Sequence, residues 1–220
     1  MNRLAVFFAA GYEEIEALTV VDICRRGGLE VDMVSVSGEM EVTGSHGICV
    51  SMDKEFGNVD FEDYDMLVLP GGMPGTRNLE DHAGLMERVD EFAAKGKYLA
   101  AICAAPSIFG HRGILKGRRA CCYPSFESQL AGAEVTEKPV EISGNVITSR
   151  GMGTAIAFGL AIVSVFKGKE AADKLAESII YAERRQAGWR RTEKSMWQVT
   201  EAWSEAPSAV RWRETGPGIL

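Results

Sequence analysis

The stretch KYLAAICAAPSIFG, residues 97–110, decides the fold. Its apolar run at 98–102 reads as a buried strand and residues 104–109 as a helix, with Pro106 in the first turn, where a missing amide proton leaves no intrahelical partner unpaired. Cys103 stands at the joint. A strand that passes directly into a helix is half of a crossover connection, so the surrounding chain is expected to build a parallel sheet.

Outward from this joint, runs at 4–9, 31–36, 66–69 and 146–148 repeat the strand pattern. Helical periodicity occupies 13–26, 84–94, 154–166 and 169–182, and Gly27-Gly28 can end the first of these helices. The expected class is α/β, a mostly parallel sheet sandwiched by helices, with short antiparallel ribbons at 42–51 and 134–142 on its margins. One domain is expected over 1–185. Residues 186–220 differ, because they hold all four tryptophans, Trp189, Trp197, Trp203 and Trp212. A helix is expected there at 192–203, while Pro207 and the Gly-Pro-Gly at 216–218 resist regular structure. This extension is expected to be peripheral.

The 220 residues carry a formal charge of −7, which disfavours a nucleic-acid surface. No apolar run is long enough to cross a bilayer, and Glu13, Glu14 and Glu16 follow the first apolar run too closely for a signal peptide. A cytoplasmic protein without membrane contact is expected. The five cysteines, Cys24, Cys49, Cys103, Cys121 and Cys122, are odd in number and form no CxxC pair, which argues against a disulfide scaffold or a thiolate zinc site. His46, His82 and His111 show no ligand spacing, and neither glycine run matches a dinucleotide or phosphate loop, so neither metal nor cofactor is expected.

Cys103 has two readings from pattern alone, a reactive nucleophile and a buried core thiol, and they weigh about equally. Ligands of open α/β sheets gather where strand ends meet helix N-termini, which is where the pattern puts this thiol. Gly71-Gly72 in MLVLPGGMPG follows another central strand, so its bare backbone can offer an amide to an oxyanion, as can the amide of Ala104. Glu16, in AAGYEEIEAL, lies in the first turn of the first helix, where a partly buried carboxyl would hold its proton tightly and exchange it with a substrate or the thiol. Glu13 and Glu14 read as solvent-facing helix-start residues. Cys24, Cys49, Cys121 and Cys122 read as core, and His82 and His111 as structural or surface groups.

The ordered set AAGYEEIEA (9–17), RRGGLEV (25–31), VLPGG (68–72), AAICAAP (100–106) and ITSRGMGTAIAFGLAIV (147–163) resembles the ThiJ/PfpI superfamily. Within it, the resemblance is to the branch containing the human parkinsonism-associated deglycase and its bacterial relatives, and it spans residues 1–182. It implies a flavodoxin-like fold with a nucleophile elbow, a homodimer, Cys103 as reactive cysteine, Glu16 as its supporting carboxyl, and Gly72 and Ala104 as oxyanion amides. It further implies that TSRGMGT (148–154), with Arg150, shapes the pocket, and that Arg26 projects toward a neighbouring subunit's active-site mouth.

Two departures stand out. Where many members place a histidine before a proline near the cysteine, this chain has Tyr123-Pro124, and His46 takes a place usually held by arginine. The first weakens an amidase or peptidase reading, which rests on a Cys-His pair. His46 is expected to hydrogen-bond substrate or Tyr123. The resemblance therefore implies cofactor-independent, glyoxalase- or deglycase-like chemistry on a small aldehyde or carbonyl adduct. The alternative is a redox-responsive, protective or chaperone-like protein whose Cys103 is oxidised to sulfinate.

Overall fold

The computed structural model describes residues 2–181. The expected helix at 192–203 and the tryptophan-bearing extension lie outside the described residues. The chain runs β1 (Arg3–Phe8), α1 (Glu14–Arg26), β2 (Glu30–Ser35), β3 (Glu41–Thr43), β4 (Cys49–Ser51), β5 (Lys54–Glu55) and β6 (Met66–Leu69). It continues through α2 (Gly75–Glu80), α3 (Ala83–Ala94), β7 (Tyr98–Ile102), α4 (Pro106–His111), β8 (Arg119–Ala120) and β9 (Glu134–Val135). Strands β10 (Val140–Ser143) and β11 (Val146–Ser149), then helices α5 (Ala155–Lys167) and α6 (Lys169–Ser178), complete it.

Seven strands form one sheet in the order β10-β11-β7-β6-β1-β2-β5. Every pairing is parallel except β10 with β11, at one edge. Alternation along each strand divides the interior into two cores. Leu4, Val6 and Phe8 of β1, with Ala100 and Ile102 of β7, meet the apolar faces of α1, α5 and α6. Ala5 and Phe7, with Leu99 and Ala101, meet α2, α3 and α4. A sheet covered on both faces buries nearly every strand residue, and the central strands accordingly read as continuous apolar runs rather than alternating ones. Among the described residues, no helix is long and apolar enough to cross a membrane.

This topology positions the site. From β1 the chain crosses to β2 on one side and later returns to β6 on the other, so the loops after β1 and β6 diverge at the carboxyl edge of the sheet. The loop after β7 joins them there.

Several expectations need correction. Residues 104 and 105 precede the helix, which starts at Pro106, because the chain must first turn at Cys103. The last helix ends at Ser178 rather than 182. The 134–142 segment is not one antiparallel ribbon: β9 pairs parallel with β8, and β10 pairs antiparallel with β11. The ribbon at 42–51 is antiparallel as expected. Helix α2 and strand β5 are short elements without enough period to be read from sequence.

Candidate active site

Cys103 takes φ +66°, a left-handed conformation that side chains other than glycine rarely adopt. The neighbours hold it there: its amide donates to Ser149 O at 3.0 Å, and its carbonyl accepts from the Tyr123 amide at 2.8 Å. This strained turn lifts the thiol out of the β7 line to the sheet edge, where it remains half-buried.

Glu16 comes to the same point from the first turn of α1 and is 1% exposed. It faces the Cys103 thiol, and its Oε2 accepts from the Gly71 amide at 3.1 Å. Gly71 is glycine of necessity here. A Cβ at that position would lie 2.5 Å from both Cys103 Cβ and Glu16 Oε2. Gly72, at φ +93°, turns its amide to the Cys103 sulfur, as does Ala104.

The electrostatics follow from this burial. Desolvation drives the Glu16 carboxyl up to about 7, helped by the nearby Glu13 and opposed by Cys103 and the amides of Gly71 and Met152. Desolvation and the facing Glu16 carboxylate also push the Cys103 thiol up, while the Ala104 and Gly72 amides pull it down. Thiol and carboxyl are best regarded as one pair that shares a proton near neutrality. Such a pair can present a thiolate beside a carboxylic acid without any net charge change.

The remaining candidate residues separate into those at this point and those elsewhere. Tyr123 flanks the elbow, its amide donating a hydrogen bond to the Cys103 carbonyl, and its ring borders Gly151, which in turn borders Glu16. Arg150 is half-buried, with Nη1 donating to Glu137 O at 3.2 Å. Arg26 lies at the opposite end of α1 from Glu16, roughly 15 Å along the axis, where it pairs with Asp22 at 2.7 Å. His46 does not meet Tyr123 in the hydrogen-bond network; its ring is held by Glu14, with Nδ1 3.0 Å from Oε2.

Glu13 and Glu14 overturn the solvent-facing reading, being 7% and 4% exposed. The loop after β1 folds under the β3–β4 hairpin, with Ser45 N donating to Tyr12 O at 2.8 Å, and this covers the helix start. Cys49 is exposed on that hairpin rather than in the core. Cys24, Cys121 and Cys122 are buried as expected. His82 caps α3, its Nδ1 accepting from Leu85 N at 3.0 Å, and His111 pairs with Glu80 on the surface. The amide of Met152 also reaches Glu16; the resemblance placed its segment, 148–154, at the pocket without singling out this amide.

Fold and site together define a class: an open α/β protein with a cysteine at a strained elbow and a buried carboxyl beside it. The chain belongs to the DJ-1/PfpI family, whose model matches residues 2–165. It is 36% identical over 181 residues to Protein DJ-1 homolog B of Arabidopsis thaliana, covering 81% of this chain and 41% of the relative. It is 33% identical to Protein dj-1beta of Drosophila melanogaster, covering 80% of this chain and 96% of the relative. This chain therefore spans less than half the length of the plant relative and nearly all of the fly one. The solved structure of oxidised Toxoplasma gondii DJ-1 is similar, at TM-score 0.80 and 38% identity, over 83% of this chain and all of that one.

Proposed function

We propose that the protein converts small reactive carbonyls, such as methylglyoxal, through a hemithioacetal on Cys103 and without a cofactor. The observation that carries this reading is the Glu16 carboxyl, 1% exposed and packed with the Cys103 side chain against Gly71, where burial raises it to about 7. Thiolate attack on the aldehyde carbon forms the C–S bond, and the carbonyl oxygen takes the proton from Glu16. The Glu16 carboxylate can then remove the proton from the hemithioacetal carbon and return it to the neighbouring carbon, while the adduct's hydroxyl proton passes to the neighbouring oxygen; the first carbon becomes a thioester carbonyl and the second carries the hydroxyl. Water releases this as the hydroxyacid and restores the thiol. The Gly72 and Ala104 amides stabilise the oxygen charge that develops in these steps.

Tyr123 takes the chain position before a proline where the resemblance would supply a histidine, which counts against a peptidase-type hydrolase. Conversion of early carbonyl adducts uses the same nucleophile, and the substrate alone separates the two activities. The test is lactate formation from methylglyoxal by the purified protein without glutathione. Turnover is expected in the wild type and loss of at least about 1,000-fold in Cys103→Ala. Equal rates in the two proteins would overturn the reading.

One observation favours a second role. A carboxyl that keeps its proton near neutrality, with two amides aimed at the same sulfur, also suits a cysteine sulfinate, to which Glu16 would donate. Mass spectrometry after graded peroxide treatment tests it, with Cys103 expected to take up two oxygens before the other four cysteines. A homodimer and a cytoplasmic setting remain part of the proposal, and size-exclusion with light scattering tests the former.

A further inference from the structure

Beside the elbow, the start of α1 and the tip of the β3–β4 hairpin bring together four donor atoms that the proposed chemistry does not use. Ser45 Oγ lies 3.2 Å from both Glu13 Oε2 and Glu14 Oε2, and 3.0 Å from His46 Nδ1. His46 Nδ1 in turn lies 3.0 Å from Glu14 Oε2 and 3.5 Å from Glu13 Oε2. These five close contacts have at most two protons to share, one on the hydroxyl and one on the ring nitrogen. Two donors thus serve five contacts, and the one positive centre available to both carboxylates is the His46 imidazole when protonated.

The charge is equally unbalanced. Both carboxylates are buried, and the one basic group against them is an imidazole whose side chain is 67% exposed and which carries charge only when protonated. Glu16 adds a third carboxyl within the field of Glu13. The Tyr12 hydroxyl, fully buried without a hydrogen-bond partner, lies within the field of Glu14 and supplies no contact to it. Buried charges of one sign are normally paired or bound to a metal.

We propose that Glu13, Glu14, Ser45 and His46 form a binding site for a single divalent cation of the zinc type. A tetrahedral ion with bonds of about 2.0–2.1 Å sets its ligands about 3.3–3.4 Å apart, and the five contacts here run from 3.0 to 3.5 Å. Imidazole, carboxylate and hydroxyl donors without sulfur favour such an ion over a soft monovalent one. The outer contacts hold the ligands in place. The second oxygen of Glu14 accepts from the His46 amide at 2.7 Å, which leaves Oε2 to face the centre. Gly44 permits the approach, since a Cβ there would lie 2.4 Å from the Glu14 carboxyl carbon. Binding replaces the shared protons with the ion and releases them to solvent. The solvent-exposed side of His46 gives the ion its entry.

The test uses the full chain, stripped with chelator and titrated with Zn²⁺ by calorimetry, in the wild type and in the double variant Cys49→Ser/Cys103→Ser, which removes both accessible thiols. One equivalent is expected to bind both alike. Co²⁺ is expected to give the visible absorption of a tetrahedral N/O set without a thiolate charge-transfer band. His46→Gln, at an exposed position, and Glu14→Gln are each expected to weaken Zn²⁺ binding by about 100-fold or more, with folding checked by circular dichroism. Failure of the double variant to bind, or unchanged affinity in His46→Gln, overturns the proposal. Because the readout is binding, either result leaves the Cys103 chemistry to be judged separately.

Discussion

Glu14 and Glu16 are two residues apart on the first turn of one helix, both almost fully buried, yet their environments drive them in opposite directions. Glu16 faces the sheet edge, where burial outweighs its hydrogen bonds and raises it to about 7. Glu14 turns toward the hairpin, where the His46 ring and amide, with Ser45, overcome desolvation and lower it to about 2. Burial raises both carboxyls, and the balance against it decides which keeps its proton: the donors outweigh burial at Glu14, with the His46 ring among them, and do not at Glu16. One helix start thereby supplies both a proton donor and a fixed anion.

The sharpest way to break this contrast is Glu16→Gln, which keeps the shape and removes the proton exchange. Carbonyl turnover is expected to fall by about 10²–10⁴. In chelator-treated buffer, wild-type kcat/KM is expected to rise through about pH 7 as the pair loses its first proton, and this inflection should vanish in the variant. Stability should move the other way. A carboxyl raised from 4.5 to about 7 makes the folded state lose stability as pH climbs through that window, so Glu16→Gln gains on the wild type above pH 7, by up to about 3 kcal/mol. A urea midpoint that does not shift relative to the wild type between pH 4.5 and 8 would contradict this.

Gly71→Ala attacks the packing that brings Glu16 to the sulfur. Its Cβ would enter the space of Cys103 Cβ and Glu16 Oε2, at 2.5 Å from each. A cost of about 1–3 kcal/mol is expected, together with loss of turnover. Gly57→Ala, whose Cβ would meet nothing within 4 Å, is the control and should stay within about 0.5 kcal/mol. Thermal denaturation of the pair of variants gives the comparison.

The smallest effect belongs to Glu14→Gln. Because Glu14 is lowered, its stabilisation is present above about pH 4.5 and is lost as pH falls through 2. The variant is expected to be less stable by about 1 kcal/mol at neutral pH and to converge with the wild type in acid. His46 is raised by the same contact, so its share is present below 6.5 and fades as pH rises through its elevated value. A difference that persists unchanged at pH 2 would place the effect in packing rather than charge.

The apolar runs and helical periods determined the α/β class, and the run ending at Cys103 determined the joint, because strand and helix periods are local properties of a few adjacent residues. Gly71-Gly72 and Glu16 were legible as candidates for the same reason: each follows a strand that ends at the carboxyl edge. Only the tertiary structure decided what those residues became. The left-handed turn at Cys103 is held by Ser149 and Tyr123, far along the chain, and the Gly71 contact exists only because two loops meet. The solvent-facing reading of Glu13 and Glu14 failed on the same ground. Their covering hairpin arrives 32 residues later at His46, and a carboxyl's proton affinity depends on such through-space donors, which local pattern does not encode.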